Sequence, residues 1–283
     1  MRQIGRGIYA ETGYRGGNVG FVVTSEGVIL INTPLSPPEA RQWREKIAGV
    51  TDQKVIYVIN TDYHPECVVG NHIFGAPVIA HELAWKKMKS YGDAFRRHVT
   101  GRFEDEPEVA AELERLRIVT PRITFTDKMD LHKGNKELKL VHVGAHTPAS
   151  IIVCIPGDGV LFAGDVVVNG VHPLIMGEAN SKEWLNALTY IRRPWVKAEI
   201  IVPGEGEICG KEVTEELSRY IRRLRARMRG AYSTGRSRAE SVASVAEMID
   251  FFPVADGEEG QAKQRFKANA EQVYGEMKAR GEG

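Results

Sequence analysis

The stretch N-T-D-Y-H-P-E-C-V-V-G-N, residues 60–71, decides how the rest of the chain is interpreted. It continues directly from residues 54–60 (K-V-I-Y-V-I-N), an apolar run that predicts a buried strand. The stretch contains four side chains that can each bind a metal ion: Asp62, His64, Glu66 and Cys67. Because residues two apart in an extended segment point the same way, the first three can converge on one point. The stretch alone fits a metal-binding loop and a polar loop rich in turn formers equally well.

Composition limits the classes of function. The chain has 283 residues, enough for one large domain or two small ones, with 42% hydrophobic and 27% charged residues. A net charge of +1 gives no general attraction to nucleic acid or membrane, and no apolar run approaches the roughly 20 residues of a membrane helix. The three cysteines are odd in number and far apart, which excludes a disulfide framework. We therefore expect a reduced, cytoplasmic protein without nucleic-acid or membrane partners.

The predicted elements alternate between strands and helices. Three short strands within residues 7–32 form a meander, and a helix capped by Ser36 follows, with two prolines in its first turn. Residues 93–105 have few apolar anchors and predict a mobile flap. The turn Pro156-Gly157-Asp158-Gly159 predicts a hairpin, and Ser181 is expected to cap a later helix. This order predicts α/β layering.

From residue 211 onward the pattern is helical. One helix carries an apolar stripe opposite an arginine-rich face, and two more helices are predicted over residues 237–252 and 260–280. A basic helix face is more often a solvated surface than a nucleic-acid site. The helical tail is thus expected to be an appendage, which could also serve as a homodimer surface.

Three later positions repeat the arrangement of the opening stretch. Each places a side chain that can bind metal just past a predicted apolar strand: His146 after residues 138–143, Asp165 after 160–163 and Glu205 after 200–202. A histidine before Thr-Pro is commonly a hydrogen-bonded loop residue, and Gly-Asp is commonly a turn. Four such places in one chain are more specific than any one of them, because a layered fold can collect ligands from several strand ends.

With these motifs the chain resembles the metallo-β-lactamase-fold hydrolases over about residues 4–210. The resemblance rests on residues 60–71 and on five further segments: Gly16-Gly17-Asn18-Val19-Gly20, Leu30-Ile31-Asn32-Thr33, Gly144-Ala145-His146-Thr147-Pro148-Ala149-Ser150, Gly164-Asp165 and Pro203-Gly204-Glu205-Gly206. It implies a four-layer αββα sandwich with a metal site along one edge. It also implies a metallo-β-lactamase-like domain over residues 1–210, with residues 211–283 as a helical C-terminal extension packed on the same domain.

The metal-ligand motif departs from the family pattern. Only His64, His146 and Asp165 keep the family's residue types. The remaining positions carry substitutions: Asp62 and Cys67 for histidines, Glu66 for aspartate, Glu205 for the final histidine, and Asn32 for an aspartate behind the site. Each replacement among the ligands can still coordinate a metal, whereas simple decay of a site would more often leave alanine, glycine or serine.

The resemblance implies that Asp62, His64 and His146, with Asp165 alongside, would hold a first metal ion. A second position would be formed by Glu66, Cys67, Asp165 and Glu205. Zinc is the metal expected first, and the carboxylate-rich set also suits iron or manganese. The alternative is that Glu205 and Asp62 pair with arginines or with His64, which leaves a polar pocket without metal.

The implied activity is a metal-dependent hydrolase that activates water against a small-molecule ester, lactone, thioester or amide. Glu66, as ligand or general base, and Asp165 are the candidate catalytic residues. Cys67 has three interpretations: a metal ligand, a redox-sensitive thiol or a buried small residue. His172 could reach the rim of the pocket, although a plain loop histidine is the commoner case. The alternative functions are a non-catalytic binding protein on the same fold and a carboxylate-rich iron redox protein.

Overall fold

The computed structural model of the chain describes residues 1–254 and 257–280. Its first sheet has seven strands in sequence order. They are β1 (Arg2–Gly5), β2 (Ile8–Glu11), β3 (Val19–Thr24), β4 (Gly27–Ile31), β5 (Val55–Ile59), β6 (Val78–His81) and β7 (Ile123–Phe125). Strands β1 to β4 pair antiparallel and β4 to β7 pair parallel. The predicted meander and the buried strand before residue 60 are both confirmed.

The second sheet has the order β12-β11-β10-β9-β8. Its strands are β8 (Lys128–Lys133), β9 (Lys136–His142), β10 (Ile151–Ile155), β11 (Val160–Val168) and β12 (Ile200–Glu205). Pairing is antiparallel except between β11 and β12. The predicted hairpin at residues 156–159 is confirmed, since β10 and β11 pair antiparallel around it. Asp165 and Glu205 lie within β11 and β12, not past their ends as predicted.

The helices lie between and outside these strands. They are α1 (Pro37–Ala48), α2 (Pro65–Val68), α3 (Asn71–Phe74), α4 (Glu82–Met88), α5 (Asp93–Thr100), α6 (Pro107–Glu114), α7 (Ser181–Ile191), α8 (Glu212–Ser233), α9 (Arg238–Ala243) and α10 (Glu259–Arg280). Among the described residues, no helix combines the length and apolar character needed to cross a membrane.

One prediction about the helices was wrong, namely the cap of α7. Ser36 occupies the N-cap position of α1, but its side chain makes no capping hydrogen bond. Helix α7 is capped by Asn180, whose side chain accepts from the N–H groups of residues 182 and 183, so that Ser181 is the first helical residue. The predicted flap is α5 followed by a 3-10 turn, and the buried side chains Val99 and Phe103 anchor it to the domain.

The main core lies between the two sheets. Ile29, Ile31 and Ile59 of the first sheet pack against residues of the second, such as Val153. Gly20 shows how closely the sheets approach, because a Cβ at this position would lie 2.1 Å from the Phe162 ring of the opposite sheet. The inward faces of both sheets therefore form one dry interior.

Helices cover both outer faces of the sandwich. Trp43 and Ile47 of α1 pack on the outside of the first sheet, against residues such as Phe21. A larger cluster covers the outside of the second sheet and joins α7, α8 and α10, with Trp184 and Leu224 among its members. These four layers confirm the expected αββα sandwich with C-terminal helices.

The C-terminal helices are attached through buried polar contacts as well as apolar ones. The N–H and hydroxyl of Ser181 donate to the Glu276 carboxylate at 2.8 and 2.5 Å, and Arg225 donates to the same carboxylate at 2.9 Å. His172, expected near the pocket rim, is buried instead: its ring contacts Tyr220, and its Nε2 lies 2.8 Å from the carbonyl oxygen of Ile249. The division of the chain at residue 210 stays a prediction.

Candidate metal centre

Two loops bring three potential metal ligands together at one edge of the sandwich. Asp62 and His64 lie between β5 and α2, and His146 lies between β9 and β10. One ligand atom from each residue lies within 4.8 Å of the other two. His146 Nε2 is 3.0 Å from His64 Nδ1, which in turn is 3.4 Å from Asp62 Oδ1. The sequence-predicted first set is therefore assembled, and its ligand atoms face one another.

Asp62 is held by hydrogen bonds from its own loop and from the loop of His146. The backbone N–H groups of Tyr63 and His64 donate to Oδ1. The hydroxyls of Thr147 and Ser150 donate to Oδ2 at 2.9 and 3.1 Å. These donors hold the Asp62 carboxylate in place, and the residue is only 2% exposed. They also mean that a metal bound by Asp62 would share the carboxylate with existing donors.

His146 is buried, and burial lowers its pKa to about 4. A neutral imidazole is the form that binds metals, so the histidine needs little proton release at neutral pH. The edge of Trp184 packs against the ring, with 5.5 Å between centroids. The preceding residue, Ala145, has φ of +88°, a strained value for a residue with a Cβ. The loop therefore holds the His146 ring in place, with backbone strain at the preceding residue.

Asp165 lies beside this group without joining it. Its Oδ2 is 3.9 Å from His146 Nε2. The carboxylate packs against the backbone of Gly204, where a Cβ would lie 2.0 Å from Oδ1. Burial, together with the charges of Glu205, Asp62 and Glu66, raises the pKa of Asp165 well above its usual range. A nearby cation would reverse this effect, since it favours the ionised carboxylate.

Glu66 and Glu205 each pair with an arginine. Arg102 Nη1 donates to Glu66 Oε1. The Arg265 guanidinium contacts both oxygens of Glu205, with Nη1 2.8 Å from Oε2 and Nη2 3.1 Å from Oε1. The structure thus provides partners for two residues of the predicted second metal position, and the arginine pairing anticipated for Glu205 is present.

Cys67 is packed as a buried side chain. It is 3% exposed and lies in a small apolar cluster with Ala80 and Met88. Its Sγ is 3.8 Å from the hydroxyl of Thr61. Burial, followed by the charges of Asp165 and other nearby carboxylates, raises the pKa of the thiol well above its usual range. These surroundings favour the interpretation of Cys67 as a small buried residue carrying a protonated thiol.

Two asparagines position the loops around the centre. The Asn18 side chain donates to the carbonyl oxygens of Pro203 and Gly206, both at 2.8 Å, and so fixes the loop that carries Glu205. Asn32, with φ of +57°, accepts from the N–H of Thr61 and donates to its hydroxyl, each at 2.9 Å. Asn32 therefore anchors the start of the ligand loop without adding a charge behind it.

Sequence reasoning did not assign roles to four residues that contact the site: Thr147, Ser150, Arg102 and Arg265. The first two lie in the motif around His146, where their hydroxyls could have been noticed as donors. The arginines come from α10 and from the segment predicted to be a flap, with no local pattern that would indicate their partners.

Comparison with known proteins agrees with this architecture. The family model of the metallo-beta-lactamase superfamily matches residues 12–205, more than half of the chain. The chain belongs to the metallo-beta-lactamase superfamily. The match covers β3 to β12 and all residues of the predicted metal positions, whereas β1 and β2 precede it.

Individual superfamily members are distant relatives. The chain is 20% identical over 204 residues to a metallo-beta-lactamase type 2 of Bacteroides fragilis, covering 71% of this chain and 73% of that protein. It is 21% identical over 193 residues to the type 2 enzyme of Elizabethkingia meningoseptica, covering 67% and 69%. The structure of a metallo-beta-lactamase from Pontibacter korlensis is similar, with a TM-score of 0.62 and 20% identity, covering 78% of this chain and 97% of that one.

The chemistry of the donors fits one divalent metal ion of the kind that this superfamily binds. Two imidazoles and a carboxylate with open positions are a common set in zinc hydrolases and in iron(II) enzymes. Asp62, His64 and His146 provide this set within a sphere small enough for one ion. Asp165 is close enough to act as a neighbouring carboxylate.

Proposed function

We propose that this protein is a metal-dependent hydrolase of small molecules with an atypical, carboxylate-rich site. The observation that carries the proposal is the convergence of Asp62, His64 and His146 at an edge of the superfamily sandwich. The substrate class is that of an ester, lactone, thioester or amide, whose carbonyl group a metal ion can polarise. A bound metal ion would also lower the pKa of water toward neutrality. A cytoplasmic location and a homodimer formed through the C-terminal helices belong to the same proposal.

Two residues of the site are already arranged to bind the metal ion. His146 would bind as a neutral imidazole, because its burial disfavours the protonated form. The hydrogen bonds from Thr147 and Ser150 would keep the Asp62 carboxylate oriented. Zinc is the ion we expect first, with iron and manganese as alternatives.

Asp165 and Glu66 would act beside the metal. Asp165 would hold or accept a proton at its carboxylate, which is close to His146 Nε2. Glu66, 23% exposed and paired with Arg102, is the residue we assign to proton transfer with water at the open side. Cys67 would take no part in the chemistry if its thiol stays protonated and buried.

Metal analysis joined to a hydrolysis assay tests the proposal. Protein purified without chelator is expected to contain zinc, iron or manganese and to hydrolyse members of a panel of chromogenic esters, thioesters and lactones. Zinc at 100 times its dissociation constant should stabilise the fold by about 2.7 kcal/mol. At roughly 2–4 °C per kcal/mol, this is a rise in Tm of about 5–10 °C.

Matched histidine variants make the test specific. His146→Ala should remove metal, activity and the Tm rise, whereas His132→Ala should keep all three, because His132 is an exposed residue of β8. Absence of metal, with no gain in stability or activity on adding zinc, manganese or iron(II), would refute the proposal.

A second candidate is a non-catalytic binding protein on the same fold. It is favoured by one specific observation: several polar groups of the site already pair with one another. His64 and His146 are hydrogen bonded together, and Asp62 accepts bonds from both loops. This candidate predicts a Tm unaffected by metal and by His146→Ala. The iron redox alternative would instead require bound iron with a visible or Mössbauer spectrum.

A further inference from the structure

We infer that the metal site is mononuclear and that Arg102 and Arg265 supply the positive charge that a second metal ion would otherwise bring. This inference rests on the proposed function, because it presupposes one metal ion at Asp62, His64 and His146. Arg102 and Arg265, which lie outside the ligand motif, would balance the negative charge of the site. The protein is therefore expected to bind one metal ion per chain.

Glu205, one of the carboxylates at the second metal position, is already paired with Arg265. Both Glu205 oxygens contact the Arg265 guanidinium, because Nη2 donates a hydrogen bond to Oε1 at 3.1 Å and Nη1 forms an ion pair with Oε2 at 2.8 Å. Contact at both oxygens makes this a strong pairing of an arginine with a carboxylate, so a cation would compete with the guanidinium for Glu205. Arg265 also donates to the carbonyl oxygen of His172 at 3.2 Å, so the guanidinium is held in place from another side. A metal ion would have to displace it from both partners.

Glu66 is paired with an arginine through one of its two oxygens. Arg102 lies in the 3-10 turn after α5 and donates to Glu66 Oε1. The Glu66 side chain is confined by Gly16, where a Cβ would lie 3.2 Å from Glu66 Cγ. The two arginines thus reach the site from two segments of the chain and neutralise one carboxylate each.

The remaining residues at the second position are poor ligands for a dipositive ion under these conditions. Cys67 is 3% exposed and packs in an apolar cluster with Ala80 and Met88, and its Sγ lies 3.8 Å from the Thr61 hydroxyl. Asp165 Oδ2 lies 3.9 Å from His146 Nε2, so this carboxylate is close to the first metal position. An ion placed here would be repelled by the guanidinium groups, which carry a charge that cannot be removed at neutral pH.

Zinc stoichiometry tests the inference. The full-length protein is loaded with excess zinc chloride, freed of unbound metal, and weighed by native mass spectrometry. Wild-type protein is expected to carry one zinc ion per chain. The double variant Arg102→Met/Arg265→Met removes both guanidinium groups but keeps unbranched side chains. It is expected to carry two zinc ions. The corresponding lysine variant, which keeps both charges, is expected to carry one.

The control and the contrary outcomes separate this inference from the proposed function. Arg41→Met breaks a similar two-point pair, with Glu112, away from the site and should leave one zinc ion. Two zinc ions on wild-type chains overturn the inference but leave the hydrolase proposal standing, and this result does not depend on any variant folding. A folded double variant with one ion also overturns it. No zinc on wild-type protein overturns this inference, and it overturns the proposed function as well when manganese and iron(II) also fail to bind.

Discussion

The buried contact between Glu276, Arg225 and Ser181 should contribute strongly to the free energy of unfolding, because it joins the C-terminal helices to the rest of the fold. Glu276 is 9% exposed and Arg225 is 7% exposed, so neither charge is stabilised by much water. Replacing Glu276 with alanine removes the acceptor for Ser181 and leaves Arg225 without this counter-charge. Removal of one partner of a buried pair costs about 3–5 kcal/mol, and we expect a loss in this range for the free energy of unfolding.

Denaturation by urea, followed by far-UV circular dichroism, measures this loss. Glu271→Ala is the matched control on the same helix, since Glu271 is 39% exposed and its nearest approach to Lys267 is 3.9 Å; it should cost less than about 0.5 kcal/mol. The apolar double variant Arg225→Met/Glu276→Leu should lose less stability than Glu276→Ala alone, because no buried charge is left behind. A cost below about 1 kcal/mol for Glu276→Ala would refute the reasoning.

Three further variants probe backbone strain, sheet packing and charge. Ala145→Gly should raise the free energy of unfolding by about 1 kcal/mol, because glycine adopts φ of +88° without strain; an unchanged or lower Tm would contradict this. Gly20→Ala should destabilise by at least 1–3 kcal/mol, because its Cβ would overlap the Phe162 ring, and wild-type stability in denaturant would contradict it. Burial of Glu11 opposes ionisation, but bonds from Lys46 and nearby N–H groups lower its pKa from 4.5 to about 2. The resulting stabilisation, roughly 1–3 kcal/mol, is present above pH 4.5 and lost as the pH falls toward 2, so Glu11→Gln should flatten the stability profile in that window.

The sequence was sufficient to predict the fold and the proximity of the first group of potential ligands, because both depend on local pattern. The strand before residue 60 and the motif around His146 are contiguous segments, and their order along the chain matches a known architecture. Once those strands are placed in two facing sheets, Asp62, His64 and His146 are brought together at one edge.

The partners of the second group could not be predicted in the same way. Arg265 lies 60 residues beyond Glu205 on a helix outside the superfamily match, and Arg102 lies in a segment whose few apolar residues predicted a flap. Two buried side chains, Val99 and Phe103, were enough to fix that segment. Long-range ion pairs depend on how helices pack, which no spacing rule in the sequence records.

The cap of α7 shows the same limit on a smaller scale. Asn180 and Ser181 are both good N-cap residues, and the sequence did not distinguish them. The structure uses Asn180 as the cap, because Ser181 is engaged by Glu276 from the far end of the chain. A tertiary contact therefore decides a choice that local propensity leaves open.

Anomalous diffraction from crystals grown with zinc is the most direct test of the central claim. Data collected on both sides of the zinc absorption edge locate the ion independently of the refined protein atoms. The account predicts one anomalous peak within about 2.0–2.2 Å of the ligand atoms of Asp62, His64 and His146, with Glu205 still paired to Arg265. No peak at these three residues in zinc-saturated crystals would contradict it.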